Sequence, residues 1–249
     1  MISLEELKEY ARLKKLNLGQ AEKEYFQNIV LFILYDTFGK DLVFKGGTAL
    51  SRAYGLERFS EDLDFTSVQS VHLREVLMSG LKKFYLETEI QEEIVERSFT
   101  CTLRIQGPLY VGRRESLCKI EVDVSLREKI LIEPTLITFG RLLKELPSFD
   151  VPVMTREEIL AEKIRAIMTR EKARDVYDLW FLLKEKTNII FSLVEEKLKY
   201  YEKKYSFEKF KRNVSSKKNI WESELCPLLK EVPPFPDVKH FILEKMNKK

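Results

Sequence analysis

Apolar residues recur along this chain at two spacings, and each spacing predicts one kind of secondary structure. Positions three or four residues apart predict helices, over residues 3–16, 20–37 and 71–87. Shorter apolar or alternating runs predict strands, near residues 98–106, 117–126 and 132–139. From residue 156 onward the pattern is helical again, with a proline-rich break before a last short helix. The chain therefore predicts an α+β fold, with a small mixed β-sheet, flanking helices and a mainly helical C-terminal region.

A short apolar run over residues 41–44 is followed by Lys45 and then by a glycine pair, Gly46 and Gly47. Thr48 comes next and can begin a helix. Glycine lets the backbone approach a ligand closely, and the free N–H groups at a helix N-terminus attract anions. The segment predicts a phosphate-binding turn, with an ordinary tight turn as the alternative.

Asp62 follows Gly47 by fifteen residues, and Asp64 comes two residues later. In a strand, both carboxylates would lie on one face, roughly 6–7 Å apart at Cα. Carboxylate oxygens are ligands that Mg²⁺ takes, together with phosphate oxygens and water. The pair therefore predicts a magnesium site opposite the phosphate-binding turn, with a solvated strand edge as the alternative.

Arg58 and Ser60 lie between these two motifs. Arg58 is suited either to a phosphate contact or to an ion pair with Glu61 or Asp62. Ser60 is suited either to a nucleotide contact or to forming a turn.

Residues 45–50, Lys-Gly-Gly-Thr-Ala-Leu, and residues 58–64, Arg-Phe-Ser-Glu-Asp-Leu-Asp, resemble motifs of the abortive-infection toxin nucleotidyltransferases of the AbiEii/AbiGii type. That family is a branch of the polymerase-β-like superfamily, and the resemblance covers residues 20–185. It implies Mg²⁺-dependent transfer of a nucleoside monophosphate from a nucleoside triphosphate (NTP) to an acceptor hydroxyl. It also implies a toxin with a cognate antitoxin protein, and an RNA acceptor such as the 3′ end of tRNA.

The resemblance also implies a third carboxylate on a neighbouring strand. Residues 119–127 alternate between polar and apolar, as a half-buried strand does, which places Glu121 and Asp123 on one face. The resemblance aligns Asp123 with the metal-binding position of the family, and Glu121 is the second candidate for this position. Asp62, Asp64 and Asp123 would then bind two Mg²⁺ ions about 3.5–4 Å apart. A charged outer face of an edge strand is the alternative.

Thr155 and Glu158 have the spacing of a capping box, which predicts a helix that begins at residue 156. Lys163 lies on this helix. The resemblance implies that Lys163 lies near the triphosphate, where the compact charge of a lysine can offset phosphate charge.

A second helix contains Arg174, Asp175 and Asp178, the Arg-Asp-x-x-Asp motif of the family. Asp175 and Asp178 share one face because they are three residues apart. The resemblance implies that this acidic pair aligns the triphosphate or the acceptor. The alternative is a structural salt network among the charged residues of the two helices: Lys163, Arg170, Arg174, Asp175 and Asp178.

Composition narrows the class of protein. A chain of 249 residues with 44% apolar content can form one substantial domain with an appendage. Its longest apolar run, residues 29–35, is too short to cross a bilayer, and its acidic amphipathic start is unlike a secretory signal. Three cysteines without metal-ligand spacing fit reduced, buried thiols. Two histidines and no P-loop motif argue against zinc, His-based and P-loop chemistry. We expect a cytoplasmic protein without a membrane partner.

Basic residues are concentrated between Leu182 and Lys218, where eleven basic and five acidic side chains give a local charge of +6, against +3 for the chain. Aromatic residues are interleaved with them: Tyr200, Tyr201, Tyr205, Phe207 and Phe210. Such a segment can hold RNA through phosphate contacts and stacking. The alternative is a lysine-coated surface over an aromatic core. A second basic loop, residues 112–114, lies between two predicted strands.

We predict a nucleotidyltransferase core over residues 1–150, with the sheet and the N-terminal helices, and a helical region over residues 151–249. The residues assigned to catalysis are Asp62, Asp64, Asp123, Lys163 and Asp175. The residues assigned to nucleotide binding are Lys45, Gly46, Gly47, Thr48, Arg58, Ser60, Arg174 and Asp178. The alternatives in function are modification of a protein side chain or small molecule, and a non-catalytic module that binds nucleotide or RNA.

Overall fold

The structure, a computed structural model, describes residues 2–67, 69–95, 98–140 and 146–247. The chain divides into two units. The sheet unit comprises Met1–Ala49, Glu61–Lys129 and Pro134–Val153, and the helical unit comprises Leu50–Ser60, Ile130–Glu133 and Met154–Lys249. Two short segments before residue 150 thus belong to the helical unit, and the division at residues 150 and 151 stays a prediction.

The sheet unit is built on a mixed β-sheet, which confirms the predicted fold class. Its strands are β1 Leu42–Lys45, β2 Leu63–Ser67, β3 Thr88–Val95, β4 Ser98–Ile105, β5 Cys118–Ser125, β6 Thr135–Phe139 and β7 Phe149–Val153. In the described part of the chain these seven strands have the order β3-β4-β5-β2-β1-β7-β6. Strand β2 is parallel to β5, and β1 is parallel to β7. The other neighbours are antiparallel.

The sequence does not predict β3 or β7. Strand β3 is an edge strand with mostly exposed residues, so it lacks the apolar alternation that marks a half-buried strand. Strand β7 is only five residues long and contains Pro152, which is unusual inside a sheet.

The helices of the sheet unit are α1 Leu4–Lys14, α2 Leu18–Phe38, α3 Gly46–Tyr54 and α4 Leu73–Lys83, and α3 continues into the helical unit. The first two helices begin where the sequence supplies a side-chain cap. Ser3 with Glu6 and Asn17 with Gln20 form reciprocal capping boxes at α1 and α2. Phe44 and Phe65 stack 5.2 Å apart in the core, at the two strands that flank the glycine turn. Packing of these rings fixes β1 against β2.

The helical unit contains the helices predicted after residue 156. They are α5 Arg156–Thr169, α6 Ala173–Lys184, α7 Phe191–Lys199, α8 Phe207–Ser216, α9 Trp221–Leu225 and α10 Phe235–Asn247. No helix in the described ranges is long and apolar enough to cross a membrane. All three cysteines are free thiols, but Cys226 is exposed, which is contrary to the expectation of buried thiols.

The capping box predicted at α5 is half correct. The Thr155 hydroxyl accepts a hydrogen bond from the Glu158 backbone N–H, 3.4 Å away. The Glu158 carboxylate instead accepts hydrogen bonds from the backbone N–H groups of Leu131 and Ile132 and pairs with Lys197 at 2.7 Å. This glutamate is fully buried, so tertiary partners replace the local one.

Candidate active site

Asp64 on β2 and Asp123 on β5 are register partners in a parallel strand pair. Leu63 and Phe65, on either side of Asp64, are fully buried, whereas Asp64 is half-buried. Register partners point to the same face of a sheet. Two of the three predicted metal ligands therefore lie next to each other on one face.

Two further residues extend this line across the sheet. Lys45 on β1 is the register partner of Asp64, and Thr100 on β4 is the partner of Asp123. Four neighbouring strands thus contribute one residue each to a line of cross-strand partners. We call Lys45, Asp64, Asp123 and Thr100 the carboxylate row.

The glycine turn lies directly beside the carboxylate row. Gly46 and Gly47 are the first residues of α3, and Gly46 has a φ of +76°. A Cβ atom on Gly46 would overlap the Asp64 side chain. The buried Thr48 hydroxyl donates a hydrogen bond to the Asp62 carbonyl oxygen, which joins the first turn of α3 to the segment before β2. Only glycine fits at position 46 while Asp64 keeps its place.

Asp123 has a raised pKa. Burial is the largest cause, and the negative charges of Asp64 and Glu121 act in the same direction. The Thr100 hydroxyl opposes them by donating a hydrogen bond of 2.5 Å to the Asp123 carboxylate. Burial and nearby negative charges thus disfavour the ionised form of Asp123, and a bound cation would stabilise that form.

Lys45 forms an ion pair with Glu128. The distance between the Lys45 ammonium and the Glu128 carboxylate is 2.8 Å, and the two side chains are 10% and 4% exposed. Glu128 lies beyond the end of β5, and strand β2 separates β5 from β1. The ion pair therefore joins two parts of the sheet unit that are not neighbours in the sheet.

The donor set suits a magnesium ion held by two carboxylates. Mg²⁺ commonly takes one or two protein carboxylates and completes its shell with phosphate and water. Asp64 and Asp123 supply such a pair. Across the described ranges, no three His, Cys, Asp or Glu side chains are grouped so that they could hold a metal ion. Asp62 precedes β2, and the second candidate, Glu121, pairs with Lys119 at 2.5 Å. The structure thus brings Asp64 and Asp123 together, and the third metal ligand stays a prediction.

The helical unit contains a cluster of ion pairs around two fully buried carboxylates, those of Asp175 and Asp178. Arg58 donates two hydrogen bonds to the Asp178 carboxylate, of 2.5 and 2.7 Å. The Lys163 ammonium lies 2.6 Å from Asp178 and 3.1 Å from Asp175. Arg170 in turn donates hydrogen bonds of 2.8 and 2.9 Å to Asp175. We call Arg58, Lys163, Arg170, Asp175 and Asp178 the helical ion cluster.

Burial alone would raise the pKa of both acids in this cluster. Lys163 and Arg170 outweigh burial at Asp175 and lower its pKa, and Arg58 and Lys163 do the same at Asp178. The salt network proposed as the alternative is thus present among Lys163, Arg170, Asp175 and Asp178, and Arg58 also belongs to it. Arg174 and Ser60 are both half-buried in the helical unit.

Two of the eleven basic residues between Leu182 and Lys218 are buried. Lys197 is fully buried and pairs with Glu158 and Glu162, and Lys217 lies 3.7 Å from Glu171. The exposed basic residues include Lys209, Lys211 and Arg212 on α8.

The interleaved aromatic residues mostly pack inside the helical unit. Phe210 is fully buried, Tyr205 contacts it at 6.1 Å between ring centroids, and Tyr201 packs under Arg165. Tyr200 is 45% exposed. The aromatic core is the better account of this pattern. In the second basic loop Arg114 pairs with Glu89 at 3.0 Å.

Sequence reasoning missed Thr100 and Glu128. Thr100 is separated from Asp123 by 23 positions and Glu128 from Lys45 by 83. Only the strand register could have indicated Thr100, because the two residues become neighbours when β4 pairs with β5.

Comparison with known proteins identifies relatives in sequence and in fold. The family model of the nucleotidyl transferase AbiEii toxin, of type IV toxin–antitoxin systems, matches residues 31–241. No curated protein matches the chain. Among solved structures, MenT4, the nucleotidyltransferase toxin Rv2826c of Mycobacterium tuberculosis H37Rv, is 19% identical with a TM-score of 0.69, and the match covers 98% of this chain and 88% of that one. JHP933 from Helicobacter pylori is 22% identical with a TM-score of 0.59, and the match covers 90% and 93%.

Proposed function

The chain belongs to the AbiEii family of nucleotidyltransferase toxins, and we propose that it transfers a nucleoside monophosphate from an NTP to a hydroxyl of RNA, at the 3′ end of tRNA. The observation that carries the proposal is the pairing of Asp64 with Asp123 directly beside the Gly46 turn. The proposal includes Mg²⁺ as cofactor, the cytoplasm as the site of action and a cognate antitoxin as partner.

In the proposed reaction the glycine turn binds the β- and γ-phosphates. The backbone N–H groups at the start of α3 point at the anion, and the helix dipole favours negative charge there. Asp64 and Asp123 would hold Mg²⁺, which, when bound, would offset triphosphate charge and activate the acceptor hydroxyl. The family resemblance adds Asp62 as a third ligand. The family pattern implies two such ions.

The chemical step is an in-line displacement at the α-phosphorus. The acceptor oxygen bonds to the α-phosphorus, the bond from this phosphorus to the bridging oxygen breaks, and pyrophosphate leaves with that electron pair. The proton of the acceptor hydroxyl passes to water. The protein contributes position and electrostatic stabilisation, which is how enzymes accelerate transfer of phosphorus groups.

Lys163 and the acidic pair of α6 are proposed site residues on the strength of the family resemblance. Their ion pairs also give them a structural role, since breaking a buried pair is strongly destabilising. Loss of activity in a Lys163 or Asp175 variant therefore assigns a role in catalysis only when the variant keeps its stability.

The exposed basic residues of the helical unit support an RNA acceptor. Neutralising phosphates with lysine and arginine gives binding that needs no sequence recognition and weakens with salt. Lys209, Lys211 and Arg212 on α8 are exposed and so can act in this way.

The test is incubation with each of the four α-labelled ribonucleoside triphosphates, Mg²⁺ and total RNA, followed by separation of tRNA. Wild-type protein should label tRNA, and Asp64→Asn should lower the rate at least a hundredfold because a proposed metal ligand loses its charge. The matched control is Asp150→Asn. Asp150 is also a strand aspartate that accepts a threonine hydroxyl, from Thr138, but it lies on β7.

Two results would contradict the proposal. Equal labelling by Asp64→Asn and wild type would exclude the carboxylate site. Label in protein or in a small molecule, with none in RNA, would instead support the alternative class of acceptor.

A further inference from the structure

We propose that Glu128 is a positioning residue for the nucleotide: its ion pair holds the Lys45 ammonium at the carboxylate row, where Lys45 contacts the triphosphate. This inference rests on the proposed function, because it assigns a support to one of the residues that would bind the NTP. It concerns the sheet unit alone.

Lys45 lies between the two features that define the site. It is the register partner of Asp64 in β1, and it directly precedes Gly46 in the chain. A phosphate on the glycine turn and a cation on the aspartate pair would therefore both be neighbours of Lys45. An ammonium at this point can donate to a phosphate oxygen and offset its charge.

A lysine needs a support to act at one defined place. Its four-carbon stem has many rotamers, and ordering such a side chain costs conformational entropy. The Glu128 carboxylate lies 2.8 Å from the Lys45 ammonium, and both side chains are at least nine-tenths buried. A buried, charge-assisted hydrogen bond of this length restricts where the ammonium can be. Since an ammonium has three donors, the bond to Glu128 is compatible with a bond to phosphate.

The competing explanation is a purely structural ion pair. The chain contains a comparable buried pair: in the helical unit Lys197 pairs with Glu162 at 3.1 Å, and the side chains are 0% and 8% exposed, although Lys197 also pairs with Glu158. If Glu128 serves only the fold, its removal and that of Glu162 should both leave NTP binding by the folded protein unchanged. If it positions Lys45, its removal should weaken triphosphate binding.

The experiment measures NTP binding to Glu128→Gln and Glu162→Gln by titration calorimetry, with ATP, CTP, GTP and UTP in separate runs. Glutamine keeps the shape and an acceptor oxygen but removes the charge. We expect Kd of the best-bound NTP to rise about tenfold in Glu128→Gln, the loss typical of a charge-assisted hydrogen bond, and to stay unchanged in Glu162→Gln. Thermal unfolding of both variants is measured first, so that binding is compared on folded protein.

The double variant Lys45→Met/Glu128→Gln shows whether Glu128 acts through Lys45. It removes both charges, a change that proteins with buried ion pairs often tolerate. The double variant can therefore test the inference even if Glu128→Gln does not fold. Its Kd should equal that of Lys45→Met alone. A wild-type Kd in folded Glu128→Gln, or a further loss in the double variant beyond Lys45→Met, would overturn the inference.

Failure of this inference and failure of the proposed function give different results. If the RNA acceptor is wrong, wild type still binds NTP and Glu128→Gln still binds it less tightly, but RNA stays unlabelled. If the positioning role is wrong, wild type labels RNA and Glu128→Gln binds NTP as wild type does.

Discussion

The Thr100 hydroxyl donates a hydrogen bond of 2.5 Å to the Asp123 carboxylate, across the antiparallel pair of β4 and β5. This bond restrains the rotation of the Asp123 side chain and lowers its pKa against the effect of burial. Partners of this kind orient metal ligands, and their loss typically costs 10–100-fold in affinity or activity.

Replacement of Thr100 by valine should therefore raise the Mg²⁺ concentration at half-maximal activity by about tenfold or more. Valine keeps the shape of threonine and removes the donor. The measurement is a Mg²⁺ titration of the labelling reaction, together with the rise in melting temperature that Mg²⁺ produces. The control is Thr138→Val, which removes the same cross-strand bond to an aspartate, Asp150, on β6 and β7. Equal Mg²⁺ dependence of the two variants would contradict a role of Thr100 at the site.

Substitution of Gly46 by alanine should inactivate the protein by displacing Asp64. The new Cβ would overlap the Asp64 carboxylate, and the positive φ adds backbone strain of about 1–3 kcal/mol. Gly112→Ala is the matched control, because Gly112 has a φ of +80° and no atom within 4 Å of the added Cβ. Both variants should lose stability in urea unfolding, but only Gly46→Ala should lose more than tenfold activity. Comparable activity of the two variants would contradict a displacement of Asp64.

Local signals in the sequence predict the elements around the site well. The alternation in β5 predicts which residues are buried, and Cys118, Ile120, Val122 and Val124 are. The glycine pair marks the start of α3, and the apolar Leu63 and Phe65 on either side of Asp64 lie in β2.

Local signals in the sequence do not predict contacts between residues that are far apart in the chain. The residues around Glu128 give no sign that it contacts Lys45, because this contact depends on the order of β5, β2 and β1 in the sheet. The sequence suggests a phosphate, Glu61 or Asp62 as the group that Arg58 contacts. In the structure Arg58 pairs with Asp178, which is 120 positions away in the chain. Buried charges pair with whatever the tertiary fold places beside them, and that is decided by packing.

The helical ion cluster should make the helical unit sensitive to acid. The pKa values of Asp175 and Asp178 are below the usual range, because nearby cations outweigh burial. The unfolded chain then binds protons more readily than the folded one, so this stabilisation is present above about pH 4 and is lost as pH falls below it. The free energy of unfolding should therefore fall steeply between about pH 5 and pH 2. Urea unfolding followed by tryptophan fluorescence measures it, since both tryptophans, Trp180 and Trp221, belong to the helical unit.

Asp175→Asn checks the cause of this acid sensitivity. At neutral pH the variant should be about 3 kcal/mol less stable than wild type, because Arg170 loses its charged partner and Lys163 keeps only Asp178. Its stability should also depend less on pH. The exposed Asp237→Asn variant should match wild type in both respects. An Asp175→Asn variant as pH-dependent as wild type would place the acid sensitivity elsewhere.

The exposed basic side chains of α8 should control how RNA affinity depends on salt. Each phosphate contact to a single strand contributes about 0.7 to the slope of log K against log salt, so replacing Lys209, Lys211 and Arg212 by alanine should reduce the slope by up to about 2. The exposed pair Lys82→Ala/Lys83→Ala on α4 is the control, and it should leave the slope unchanged. Filter binding of tRNA over a salt series gives the slopes. An unchanged slope in the α8 variant would move the RNA contact to another surface, and the exposed loop at residues 112–114 would then be tested in the same way.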